Sequence, residues 1–250
     1  MNRALASVAS ALLLAVAVAA RPAAAEDRFR LELEGGAAWQ LRNDFAVPGD
    51  AGTRLFLDDA TQGPFAAFRG TLWAEVSRRT SLRLLAAPLR TTASLTPDTD
   101  VDFNGTVFPA GEPLDVIYVF NSYRLSWVYR FKSSGPVAFR AGLTAKIRDA
   151  KIELNGSGLS NTKANVGVVP LLYGGVRWQM TDTLALDLDV DAAAASQGRA
   201  EDVALRLEAK VSPGVDLFVG ARTLEGGADN DEVYSFAWFA YAVGGVAIRF

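Results

Sequence analysis

The amino-acid sequence predicts an all-β fold, a closed antiparallel transmembrane β-barrel of ten strands, with eight as the alternative count. Three observations predict it. Apolar residues recur with period two along most of the chain, short and long connections alternate, and aromatic residues gather at the ends of the apolar rows. Period two belongs to a strand, because successive side chains leave a pleated backbone on opposite faces, whereas a helix would spread the same charges around its circumference.

The first 25 residues stand outside this pattern. Arg3 gives a short positive start, Ala4 to Ala20 is an uninterrupted small and apolar run, and Ala23-Ala24-Ala25 precedes Glu26-Asp27. That arrangement is a secretory signal peptide cleaved after Ala25, and the run is shorter than the roughly 20 residues of a membrane-crossing helix. The expected organisation is a signal peptide over 1–25 and one barrel domain over 26–250. Loss of Arg3 and Arg21 from the 25 basic residues leaves 23 against 28 acidic. A mildly acidic chain argues against nucleic acid as a partner.

Ten segments carry the alternation. The first, 28–41, sets Phe29, Leu31, Leu33 and Trp39 opposite Arg30, Glu32, Glu34 and Gln40. The second, 65–77, and the third, 81–92, put Arg69, Glu75 and Arg83 on the polar face, and the fourth, 116–131, does so with Arg124 and Arg130. The fifth, 137–154, sets Phe139, Leu143 and Ile147 against Arg140, Lys146 and Arg148; the sixth, 165–180, carries Arg177. The seventh, 183–194, sets Leu184, Leu186, Leu188 and Val190 against Asp187, Asp189 and Asp191. The eighth, 202–211, sets Val203, Leu205 and Leu207 against Asp202, Arg206, Glu208 and Lys210, and the ninth and tenth, 215–224 and 233–250, add Arg222 and Arg249. Segments three and nine alternate least, which keeps eight strands open. Pro88 and Pro170 weaken two segments, since proline cannot donate to a ladder.

Connections near 78–80, 132–135, 181–182 and 212–214 are tight, while 42–64, 93–115, 155–164, 195–201 and 225–232 read as longer polar loops. Short turns at one end, long loops at the other and an even strand number mark outer-membrane barrels, with both termini on the short-turn, periplasmic side. A soluble sandwich also alternates, but it would not leave an apolar row on every strand exposed. Phe29, Tyr129, Phe131, Trp178 and Phe250 near one end, and Trp39, Phe68, Phe236 and Trp238 near the other, fit two interfacial girdles.

Gly245-Val246-Ala247-Ile248-Arg249-Phe250 resembles the terminal signal of bacterial outer-membrane proteins, with Phe250 last, Ile248 two residues earlier and Gly245 five earlier. Val243 departs from the polar residue common further upstream. The whole segment 26–250 resembles the small outer-membrane barrels of the OmpA and OmpW types. Blocks such as Phe120-Asn121-Ser122-Tyr123-Arg124, Ala145-Lys146-Ile147-Arg148-Asp149-Ala150 and Glu225-Gly226-Gly227-Ala228-Asp229 look like those of a bacterial outer-membrane barrel family to which no reaction is attached. The resemblance implies the cell outer membrane, contact with its lipid, and assembly machinery reading the C-terminal strand. It implies no cofactor.

The chain has no histidine and no cysteine. Barrel lipid A deacylases and phospholipases share a Ser–His pair, omptin proteases an Asp–His pair, and lipid A palmitoyltransferases a histidine; none of these can be placed on this chain. The expected class is therefore a non-enzymatic structural or interaction barrel. A narrow channel for small anionic solutes is the alternative, and an acid-only hydrolase at Asp58-Asp59 or at Asp187, Asp189 and Asp191 the weaker one. Residues two apart on a strand point the same way, and Arg177, Arg206 and Lys210 on neighbouring segments are the expected partners of the aspartate row, because buried charges must be paired. The expected lumen network is Arg30, Glu32, Glu34, Arg69, Glu75, Arg140, Lys146, Arg148, Arg177, Asp187, Asp189, Asp191, Arg206, Glu208 and Lys210. The inward set as a whole leans basic, which favours anions, while the outer loops read as acidic.

No metal site is expected. Asp100 to Gly105 opens like a calcium loop, but Gly111 stands where the closing glutamate belongs. Asn104-Gly105 instead reads as a type I′ hairpin turn. Glu225, Asp229, Asp231 and Glu232 would hold a cation weakly at most.

Overall fold

A computed structural model describes residues 28–196 and 198–250, so the predicted signal peptide lies outside the described residues. The elements are β1 (Phe29–Ala46), β2 (Leu55–Phe56), α1 (Leu57–Ala60), β3 (Phe65–Ser77), β4 (Thr80–Ala87), β5 (Arg90–Leu95), β6 (Val101–Phe103), β7 (Thr106–Phe108), β8 (Leu114–Arg130), β9 (Val137–Gly156), β10 (Leu159–Gln179), β11 (Leu184–Ala195), β12 (Gly198–Ser212), β13 (Val215–Asn230) and β14 (Val233–Arg249). Each wall strand pairs antiparallel with its neighbours, and β14 returns to β1 from Arg30↔Arg249 to Ala46↔Tyr234, closing the barrel. The wall has ten positions, because β4 and β5 both pair with β8 and count as one strand interrupted at Pro88-Leu89. Both described chain ends meet at the tight-turn end, where Phe29 and Phe250 exchange two backbone hydrogen bonds of 3.0 Å.

The outward rows form an apolar belt. Leu82, Leu84, Leu125, Leu143, Val168, Leu172, Leu205 and Val219 are all exposed on it. Phe29 and Trp39 bracket it on β1, and ten residues of a strand tilted about 40° rise roughly 25 Å, the height of a barrel's lipid-facing band. Pro170 sits on this face of β10. It costs no ladder bond on the β11 side, because β11 pairs only with Leu172–Gln179.

Three of the five expected long loops are strand instead. β9 and β10 continue to a turn at Ser157-Gly158, β11 and β12 pair as far as Ala195↔Gly198, and β13 and β14 pair to Asn230↔Val233. Beyond the apolar belt neither face of a strand must be greasy, so the alternation fades while the hydrogen-bond ladder persists. The acidic-loop reading changes with it: Asp44 and Asp229 lie in β1 and β13, and Asp58-Asp59 in α1. The two remaining connections, 47–64 and 96–113, fold over the loop end.

They build an apolar stopper there. Asn104 (φ 52°) and Gly105 (φ 81°) make the expected hairpin turn between β6 and β7. The hairpin is tied to the first connection by Asn104 N–H to Val47 O (2.7 Å) and Thr53 N–H to Asp102 O (2.9 Å). A bulge between Gln40 and Arg42 flips the facing of β1, so Asn43 and Phe45 turn inward. Phe45 meets Phe103 edge-on at 5.9 Å, both fully buried, with Leu57, Phe108, Val116, Leu154 and Phe239 packed into the same cluster.

Candidate functional site: the charged lumen

Below the stopper, the inward positions of the wall hold charges in two layers. In the layer nearer the turn end, five arginines face five carboxylates. Arg30 reaches Glu32 (2.8 Å), Glu208 (2.9 Å) and Asp216 (3.0 Å); Arg206 reaches Glu32 and Asp189, both at 2.8 Å. Arg140 binds Asp187 at 2.6 Å, Arg177 binds Glu208 at 2.6 Å and Asp187 at 3.1 Å, and Arg249 closes on Asp216. The Tyr173 hydroxyl donates to Asp189. Every carboxylate here has an arginine, so the layer is electrically balanced.

The layer beneath the stopper is not balanced. Asp191 and Asp202 stand opposite each other across the β11–β12 ladder, a like-charge pair that needs a cation between them. Arg124 supplies it at 2.8 and 2.7 Å. Arg83 also binds Asp191, Arg222 binds Asp202 (2.6 Å) and Glu34 (3.0 Å), and Arg69 binds Asp202 at 3.0 Å with Glu34 further off at 3.6 Å. Lys146, cross-strand from Arg124, is only 2% exposed and has no ion pair among the described residues; its Nζ rests 4.7 Å from the centre of the Phe120 ring. Arg69 Nη1 is buried without a hydrogen-bond partner. Arg69, Arg83, Arg124, Lys146 and Arg222 thus face only Glu34, Asp191 and Asp202.

The predicted network is therefore largely assembled, with four corrections. Glu75 lies at the exposed turn-end rim, 3.8 Å from Arg130, because that end of β3 lines the open vestibule and not the packed layers. Lys210, expected beside the aspartates, is exposed at the same rim and contributes no ion pair among the described residues. Arg148 sits above the charged layers, its guanidinium donating to Asn165 rather than to an acid. Lys146 is in the lumen but unpaired. Asp216 and Tyr173 are the members that sequence reasoning missed. Both lie an even number of residues from recognised inward positions, Asp216 six before Arg222 by way of Phe218 and Gly220, and Tyr173 four before Arg177 by way of Gly175, so the period-two count contained them. Arg83, Arg124, Asp202 and Arg222, read as inward, prove to be central members.

The assembly signal residues have plain structural places. Phe250 stacks on Phe29 at 5.7 Å, Ile248 pairs with Leu31 and Val215, and a side chain at Gly245 would meet the Phe218 ring.

Chemically, the aspartate row offers no free carboxylate, since Asp187, Asp189 and Asp191 each hold an arginine. No cluster of three or more metal-ligating side chains occurs among the described residues. The turn end opens into a vestibule of about 360 Å³ between Arg28, Glu75, Arg130, Arg177 and Arg249, floored by the balanced layer.

No family model matches the chain and no curated protein matches it in sequence. Solved structures match it in shape. The outer-membrane protease OmpT from Escherichia coli superposes with a TM-score of 0.55 at 9% identity, over 93% of this chain and all of that one. The transport unit of the autotransporter AIDA-I from Escherichia coli gives 0.48 at 9% identity over 98% of each chain. The attachment invasion locus protein Ail of Yersinia pestis gives 0.39 at 10% identity, over 88% of this chain and 99% of that one. The chain has the fold of a bacterial outer-membrane β-barrel. At such identities the likeness is one of architecture, and the barrel's own residues must carry any functional argument.

Proposed function

We propose that this chain is a closed barrel of the outer membrane, with both termini in the periplasm, that acts as a structural or interaction protein through its wall and outer end. It is neither an enzyme nor an open pore. The observation that carries this reading is the double closure of the lumen: two layers of ion pairs, and above them a stopper of fully buried aromatic and aliphatic side chains. A side-chain-filled interior is how small barrels exclude a water column. The OmpT likeness lends no protease chemistry, because this chain contains no histidine and its aspartate row is held in salt bridges. The Phe250 terminus supports delivery by the outer-membrane assembly machinery. The test is conductance of the refolded chain, lacking residues 1–25, in planar bilayers, with heat-modifiable electrophoretic mobility as the folding control. Folded protein that gives no unitary steps bears the proposal out; stable ohmic steps overturn it.

A further inference from the structure

The barrel wall is incomplete in two places: β10 has no β11 partner before Leu172, and a second gap opens between β3 and β5. The β3–β4 ladder stops at Gly70↔Ala86. Past it, Phe65–Ala66–Ala67–Phe68 pair only with β1, and Arg90–Leu95 of β5 pair only with β8. The interruption at Leu89 is satisfied from β8 alone, by Phe120 N–H to Leu89 O (2.9 Å) and Leu89 N–H to Asn121 Oδ1 (3.3 Å). The notch lies between Phe68, paired with Gly35, and Phe65, paired with Ala38, hence below the Trp39 girdle and within the apolar belt. An unpaired seam facing lipid is costly, and barrels ordinarily leave none.

Two cavities flank this seam, with Arg124 in the lining of both. Outside, an apolar groove of about 650 Å³ runs over Leu31, Leu72, Leu84, Leu125, Ile147 and Val168, with Gly70 and Ala86 in its floor. Inside, a crevice between Ala67, Phe68, Pro88, Leu89 and Phe120 leads to Arg69 and Arg124. Its free space is about 20 Å³, enough for about one water. It ends on the layer with surplus positive charge, where Arg69 Nη1 has no partner and Lys146 stands behind Phe120. A buried charge without a counter-charge is expensive, and a ligand anion would relieve it. The outer groove fits an acyl chain. The inner space excludes a phosphodiester carrying its glycerol, and a carboxylate, the smallest acyl head group, enters it with a small movement of the Phe68 or Phe120 ring.

We propose that the β3–β5 notch is a lateral binding site for a membrane-borne fatty acid, its chain in the groove at Gly70 and its carboxylate at Arg69 and, once the Phe120 ring turns aside, at Lys146 behind it. The site enters through the wall, so it operates with the lumen closed. Refolding the chain into phosphatidylcholine vesicles and titrating radiolabelled dodecanoate should give saturable binding above that of vesicles alone. Dodecyltrimethylammonium should not compete. A side chain at Gly70 meets no atom within 4 Å, so Gly70→Phe should fold normally while filling the groove and weakening binding about tenfold or more. Lys146→Met removes a buried unpaired charge, so it should fold at least as well as the parent and also lose about tenfold, the size of one hydrogen bond to a charged group. Normal binding by folded Gly70→Phe overturns the groove, and normal binding by Lys146→Met overturns the head-group site. Equal competition by acetate or inorganic phosphate would mean a site for free anions and overturns the membrane route.

Discussion

The two halves of the lumen are filled by opposite chemistries. The loop half is closed by Phe45, Phe103, Phe108, Leu57 and Phe239, none of them charged and all but fully buried. The turn half is closed by guanidiniums and carboxylates, the carboxylates buried and several arginines partly exposed toward the rim, most of them joined at 2.6–3.1 Å. Both exclude water, but they respond differently to change. Apolar burial contributes in proportion to area, about 25 cal/mol per Å², and each lost side chain costs roughly its own share. Buried ion pairs contribute little net, because desolvation offsets attraction, yet removing one partner leaves the other charged and alone. The charged half therefore contributes less to stability than its contacts imply and is more fragile than the stopper.

Asp202→Ala tests that asymmetry most strongly. It removes the carboxylate that Arg69, Arg124 and Arg222 share, in a layer already rich in cations. The expected loss is about 3–5 kcal/mol, read as a fall in the urea midpoint of the barrel refolded in lipid vesicles. A loss below that of a stopper substitution would erase the distinction between the halves.

Phe103→Ala is the matching cut in the stopper. Phenylalanine truncation in a core costs about 3 kcal/mol at the low end of its range, and the low end applies because the β6–β7 hairpin is a loop element free to resettle. The damage should stay local. Proteolysis within 96–113 should accelerate, while the wall's unfolding midpoint moves less than in Asp202→Ala. Equal shifts would make hairpin and wall one cooperative unit.

The same contrast explains what was legible in the sequence. The charged half could be read, because charge alternating with Leu or Val on 29–34, 184–191 and 203–208 admits only a strand with one wet or paired face. Lys146 and Lys210 show where that reading stops. Period two fixes the face a side chain points to, but whether it finds a carboxylate depends on height in the barrel and on the stagger between strands. The stopper was nearly invisible. Leu114, Val116, Tyr118 and Phe120 point inward while Ile117 and Val119 point outward, so apolar faces apolar and the alternation vanishes. The β1 bulge then reverses the phase just before Phe45. The β3–β5 notch was foreshadowed only by Pro88, whose missing N–H weakens a ladder without saying which neighbour is lost.

The smallest expected effect concerns the one element read correctly from a dipeptide. Gly105 holds the turn at φ 81°, and a side chain added there would meet nothing within 4 Å. Gly105→Ala therefore isolates the backbone term, since no contact is gained or lost. A left-handed conformation costs an L-residue about 1 kcal/mol or slightly more. Asn104, at φ 52°, already occupies that region with the side chain that tolerates it best. The strain should loosen the hairpin without touching the ion layers, so the Gly105→Ala barrel should unfold at the parent midpoint while its 96–113 segment is cleaved several-fold faster, the factor that about 1 kcal/mol implies for a local opening. If cleavage is unchanged, the hairpin is held by Phe103 and Phe108 alone, and the turn contributes geometry but no stability to the stopper.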